Sequence, residues 1–320
     1  MRNLPVPVVH WRNGRVALLC AMAWLLCLCA SARAQIFVTN DNNGTVGEYS
    51  LSGSTINSSL ISGLNNPSGI AIYGNDIFVV NGGSGTIGEY TLSGSTVKTS
   101  LVSGLTNAEF ITVSAGDIFV TQQTSGTSHW ALGEYTTSGS TVSSSLATIT
   151  GLPEGITVSG TNLITASLNG LYPYPSVIGE YTTSGSTVNS SLISQDSNLT
   201  GLAVSGSDIF ITSSNGLISE YTTSGSTVNA LFVSGLTYPG AIAAYGSDLY
   251  QIEATGTASG DGEIFEYTLS GSIVGGFQIS NLNSPDGIAV IPEPGTYALI
   301  LIGIGMVFIL NRILRQKRFL

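Results

Sequence analysis

From Gln35 to Ile291 the chain alternates apolar runs of four or five residues with clusters of Gly, Ser, Thr and Asn. Runs this short, rich in Val, Ile, Phe and Tyr and bounded by turn residues, are strands and not helices. The stretch around Gly69–Ser103 shows the unit. Gly69-Ile70-Ala71-Ile72 predicts a strand A, and a Gly74-Asn75 turn leads into strand B, Asp76-Ile77-Phe78-Val79-Val80. Gly88-Glu89-Tyr90-Thr91 predicts strand C, and a Ser93-Gly94-Ser95 turn leads to strand D, Ser100-Leu101-Val102-Ser103. Turns of two to four residues join only antiparallel neighbours, so the unit is a four-stranded meander.

The unit repeats. A motif (Gly/Ser/Phe)-Glu-Tyr-(Thr/Ser)-x-Ser-Gly-Ser occurs six times, with tyrosines 49, 90, 135, 181, 221 and 267, spaced 41, 45, 46, 40 and 46 residues apart. A period near 40–46 residues with four strands per repeat predicts one propeller blade each. The first repeat begins at a strand B, Ile36-Phe37-Val38-Thr39, with no strand A before it. The last is followed by a solitary strand A, Gly287-Ile288-Ala289-Val290. Pairing these two segments closes an all-β ring of six blades and removes two free edges. An open solenoid would not need this phase offset.

The two ends read differently. Residues 1–15 carry three Arg and no acid, Val16–Ala30 is apolar, and Ser31-Ala32-Arg33-Ala34 offers small residues at −3 and −1 before Gln35. This predicts an export signal over residues 1–34, with a signal helix, cut by signal peptidase between Ala34 and Gln35. At the other end stand Pro292-Glu293-Pro294, an uncharged run Gly295–Leu310, and a basic tail with Arg312, Arg315, Lys317 and Arg318. The apolar run predicts a membrane helix over about 295–314 that begins somewhat short for a hydrocarbon core and is lengthened by Ile313, Leu314 and snorkelling of Arg312. The basic residues favour a cytoplasmic C-terminus. The order Pro-Glu-Pro, short membrane helix and Arg-rich tail over residues 291–320 closely resembles the PEP-CTERM sorting signal. That resemblance implies an exosortase-type partner enzyme, transient anchoring in an inner membrane, and delivery to the cell surface or exopolysaccharide matrix of a Gram-negative bacterium.

Charge narrows the function of residues 35–291. They hold 18 acids and one base, Lys98. A body so acidic repels phosphate backbones, which excludes a nucleic-acid partner. Cys20, Cys27 and Cys29 all lie in the N-terminal run, so the remainder has no disulfide framework and no thiol nucleophile. One histidine, His129, remains there, and no nucleophile elbow or phosphate loop is present.

Residues used once per blade serve the scaffold. Positions that differ between blades are the candidates for a site. The column before strand A reads Ser68, Glu109, Glu154, Thr200, Gly240, Asp286. Strand A lines the channel of a propeller, so Glu109, Glu154 and Asp286 are expected to converge at one mouth. They would form a hydrated acidic site or ligate a cation. The three long repeats carry insertions between strands B and C at Gln122–Leu132, Ser167–Val177 and Glu253–Glu263, on the same face. These add His129, Trp130, Tyr172 and Tyr174, expected as exposed contacts for a glycan or protein ligand.

The segments Asn66-Pro67-Ser68-Gly69-Ile70-Ala71-Ile72 and Ser284-Pro285-Asp286-Gly287-Ile288-Ala289-Val290 resemble NHL-repeat propellers and the six-bladed gluconolactonase/regucalcin class. The second resemblance implies Ca2+ as a cofactor, with Glu154-Gly155 matching an acidic metal ligand. The expected Asn and Asp ligands find no clear counterpart. Two functions stay open: a non-enzymatic binding platform, and a metal-dependent hydrolase, lactonase or lyase.

Overall fold

A computed structural model describes residues 34–291, except 170–175, 196 and 255–260. The predicted signal helix, the membrane helix, the Pro-Glu-Pro motif and the basic tail lie outside the described residues. Among the described residues no helix is long and apolar enough to cross a membrane.

Six four-stranded antiparallel sheets form the blades of a propeller. Blade 1 combines β1 (Gln35–Asn40), β2 (Thr45–Ser50) and β3 (Thr55–Ser62) with the last strand, β24 (Pro285–Ile291). Blade 2 holds β4 (Pro67–Tyr73), β5 (Asp76–Asn81), β6 (Thr86–Thr91) and β7 (Thr96–Ser103). Blade 3 follows with β8 (Ile111–Ser114), β9 (Asp117–Gln123), β10 (Trp130–Thr136) and β11 (Thr141–Ile149). Blade 4 has β12 (Leu152–Ser159), β13 (Asn162–Leu168), β14 (Ser176–Thr182) and β15 (Thr187–Gln195). Blade 5 has β16 (Leu199–Ser205), β17 (Asp208–Ser213), β18 (Leu217–Thr222) and β19 (Thr227–Ser234). Blade 6 has β20 (Pro239–Tyr245), β21 (Asp248–Ala254), β22 (Asp261–Thr268) and β23 (Ile279–Asn283).

The closure expected from the phase offset is present. β24 runs antiparallel to β1, with Ile36 opposite Val290, Phe37 opposite Ala289 and Val38 opposite Ile288. One irregularity follows Val38, where Thr39 Oγ1 accepts from the amide of Gly287 at 2.7 Å and donates to the carbonyl of Ser68 at 2.6 Å. This hydroxyl ties the closing strand to the next blade.

Alternation in strand B makes the ring. Ile36 and Val38 face blade 6, while Phe37 faces blade 2. Each of six apolar clusters spans one pair of consecutive blades. Every motif tyrosine packs against the preceding blade: Tyr90 against Val46 and Ile61 of blade 1, and Tyr49 against Ile264 and Phe277 of blade 6. The glycine two residues earlier lies on the same side of strand C. A Cβ at Gly88 would stand 2.7 Å from the Tyr90 hydroxyl, so the ring lies over bare backbone.

The Ser-Gly-Ser turn is a second fastening. Gly94 has φ +79°, and a Cβ there would meet the Leu60 carbonyl oxygen of blade 1 at 2.4 Å. Gly139, Gly185, Gly225 and Gly271 abut the preceding blade's outer strand in the same way. In blade 2, the Ser95 amide donates to Thr91 Oγ1 at 3.1 Å, closing the turn.

The observed strand D is longer than expected, Thr96–Ser103 instead of Ser100–Ser103. Its first half is exposed on both faces and carries no hydrophobic alternation. A bulge at Glu89 and Tyr90 separates that half from the regular ladder.

Candidate functional site

The start of strand A is built from close contacts between neighbouring blades. The Gly69 amide donates to the Glu109 carbonyl at 2.8 Å, and Ser68 Oγ donates to the same oxygen at 2.9 Å. A Cβ on Gly287 would lie 2.5 Å from the Ser68 carbonyl oxygen, and one on Gly201 would lie 2.7 Å from that of Gly240. Glycine after the variable column therefore allows the blades to meet at the channel. Two blades depart from this pattern: blade 6 has Ala241 at the glycine position, and blade 3 has Phe110. Strand A of blade 3 begins only at Ile111, and Glu109 and Phe110 stand in irregular backbone before it.

The result is a mouth lined by Ser68, Phe110, Glu154, Gly201 and Asp286 among others. Deeper in, the channel runs between the inner strands past Ile70, Val113, Val204 and Val290.

Glu109, Glu154 and Asp286 act on one another electrostatically at this mouth. Burial, then the charge of Asp286, pushes Glu109 up to about 7. Burial, then Glu109 and Asp286, pushes Glu154 up to about 7. Asp286 rises to about 6 through burial and then Asp41. Asp286 keeps exposed surface although protein surrounds it, as expected for a group standing in a concave opening. At neutral pH, then, the two glutamates are partly protonated, able both to donate and to accept hydrogen bonds.

Asp41 was not among the expected site residues. It stands in the turn between β1 and β2, and its amide donates to the Ser284 carbonyl at 2.9 Å beside Asp286. Its Oδ1 is shielded from solvent without a hydrogen-bond partner among the described residues. The signal was available, because every B–C turn opens on the mouth face.

Trp130 requires a correction. It was expected as an exposed stacking ring, but it is only 8% exposed and packs with Ile149, Ile156 and Tyr181 between blades 3 and 4. β10 starts earlier than the insertion boundaries implied, which draws Trp130 into the sheet opposite Ile149. His129, the residue before it, is exposed in the turn. Tyr172 and Tyr174 lie outside the described residues.

Ca2+ takes six to eight oxygen ligands. Among the described residues no group of three or more His, Cys, Asp or Glu could hold a metal ion.

The remaining chain has its own signature. Residues 290–316 match the family model for the PEP-CTERM protein-sorting motif. The chain carries a PEP-CTERM sorting motif. That motif implies an exported protein handled by an exosortase-type system and anchored through its C-terminal region. No curated protein matches the chain. The propeller has relatives in shape alone. A chain of a nidogen/laminin complex superposes with a TM-score of 0.68 at 16% identity, over 81% of this chain and 99% of that one. A protein of unknown function from Bacteroides caccae gives 0.61 at 12% identity, covering 82% and 100%. A gluconolactonase from Xanthomonas campestris gives 0.52 at 12% identity, covering 69% and 82%. At such identities the likeness establishes the fold.

Proposed function

We infer that the propeller is a non-enzymatic binding platform on an exported, PEP-CTERM-sorted protein, and that its ligand enters the mouth carrying Glu109, Glu154 and Asp286. One observation carries this reading. Residues shared by all blades are engaged in blade contacts, whereas these three acids come from three different blades: Glu154 and Asp286 line one cavity, and Glu109 is coupled to both through their charges. The chemistry suits a glycan or a protein surface that offers hydroxyl or cationic donors. His129 stands on the same face, and Tyr172 and Tyr174 are proposed to complete the rim. Pro292-Glu293-Pro294 is the proposed recognition element for the sorting enzyme. The basic tail would stay in the cytoplasm, with delivery to the surface or exopolysaccharide matrix of a Gram-negative cell.

A glycan and peptide screen on the full chain tests this. Glu154→Gln should weaken any hit, while Glu180→Gln, in the repeated Glu-Tyr column, should leave it unchanged. Equal loss from both variants would overturn the assignment of the mouth.

A second reading, a hydrolase or lactonase, is favoured by a carboxyl group at about 7, the range a general acid or base needs. The fold shared with a gluconolactonase is compatible with it. Turnover in a lactone screen that Glu154→Gln abolishes would establish it over the binding platform. Calorimetric titration with Ca2+ would show whether that activity uses a metal.

A further inference from the structure

Outside the mouth, repeat symmetry breaks most clearly on the outer rim between blades 5 and 6. Leu231 takes the place of a serine found at position 59, 100, 145 and 191 in the other long outer strands. Ile273 replaces the threonine that begins strand D in blades 1 to 5, and Phe265 replaces the motif glycine. All three changes are to larger apolar side chains, and all three line one groove. Leu231 is 65% exposed and Ile273 60%, so the groove is open. Glu253 forms part of its wall and stands directly opposite Glu263 across the β21–β22 ladder. The occupant suited to this groove presents an aliphatic side chain and a cation.

The same chain offers that pair. Strands β3, β7, β11, β15 and β19 contain no acid at all, although the domain holds 18. Each exposes a β-branched residue at its second position, and Val97 is the one on β7, 49% exposed. Beside it is Lys98, the single cation of residues 35–291, also exposed. Among the described residues it makes one exposed bond, to the Ser138 carbonyl at 3.3 Å, and it stands opposite Glu89, whose carboxylate it attracts. Two bodies of net charge −17 repel, so contact between copies is least costly where one partner surface is free of acids.

We propose that the groove between blades 5 and 6 receives the outer strand β7 of a second copy of this chain, with Val97 on the apolar floor and Lys98 toward Glu253 and Glu263. The two surfaces differ and lie about 150° apart around a six-bladed ring, so the contact is head-to-tail. Such a contact propagates into a row of copies and does not close as a pair.

Sedimentation velocity of the full chain in neutral detergent, from about 1 to about 100 μM, tests this. Species should grow beyond two copies with concentration. Lys98→Glu and Leu231→Asp should each weaken association at least about tenfold, while Lys98→Arg retains it. Circular dichroism should report an unchanged fold for these exposed substitutions. In a background with Cys20, Cys27 and Cys29 changed to Ser, Val97→Cys copies mixed with Ile273→Cys copies should form a covalent pair under oxidation. Val142→Cys, the equivalent place on blade 3 without a cation, should react more slowly. A single-copy species throughout, a species that stops at two copies, or association indifferent to both charge variants would each overturn the proposal. Equal crosslinking at positions 97 and 142 would overturn the choice of β7.

Discussion

Removing the charge of Glu154 should stabilise the propeller, and only at high pH. Glu154 is half-buried, and its carboxyl is held at about 7 against an ordinary 4.5. The folded value exceeds the unfolded one, so the associated stability is complete below about 4.5 and is lost as pH rises through about 7. Each unit of difference corresponds to about 1.36 kcal/mol, so the whole shift would amount to about 3 kcal/mol. Partial solvent access screens it, and part is shared with Glu109 and Asp286, leaving about 1–2 kcal/mol for this site. Glu154→Gln replaces the carboxyl by a neutral amide of similar shape. Urea denaturation at pH 8.5 should show a gain of about 1–2 kcal/mol, or a Tm higher by about 3–6 °C. At pH 4 the gain should vanish, because the wild-type group is then protonated in both states. Glu109→Gln should add less in the double variant than alone, since each change relieves the other's repulsion. An equal gain at both pH values, or a loss at pH 8.5, would refute the coupling of the mouth acids.

Two glycines with nearly the same backbone separate turn geometry from contact. Gly94→Ala places a Cβ against the Leu60 carbonyl and should cost more than about 2 kcal/mol in a denaturant melt, whereas Gly104→Ala, with φ +78° and open space, should cost about 1. Deleting residues 284–291 removes β24 and leaves β1 unpaired; light scattering should then show aggregation at concentrations where the intact chain stays clear. Glu293→Ala in the sorting motif should leave the melt of the propeller unchanged and block delivery, measured by fractionation of cells expressing the full chain.

The ring was legible because closure is written as a phase shift: a strand B at Ile36 with no strand A before it, and a strand A at Ile288 with no blade after it. The mouth column was legible for the same reason, since six aligned repeats make any departure visible. What escaped were effects of strand length. Trp130 sits next to an exposed His129 in an insertion, and nothing local says that β10 begins at the tryptophan; its burial depends on Ile149 and on blade 4. Asp41 escaped although every B–C turn opens on the mouth face, because nothing in the composition of its turn marks it; the contact with Ser284 sets it beside Asp286. The first half of β3, β7, β11, β15 and β19 carries no periodic signal, since its faces are largely uncovered.

The path of β24 bears on how such a protein would carry load. The strand begins at Pro285, at the mouth, and ends at Ile291, beside Gln35 at the far end of β1. A pull between something held at the mouth and the chain beyond Ile291 would run lengthwise along this strand. The hydrogen bonds joining it to β1 lie across that direction and would be strained together, not peeled one after another. The seam that completes the ring would thus resist tension in shear, the orientation in which a short ladder is hardest to open.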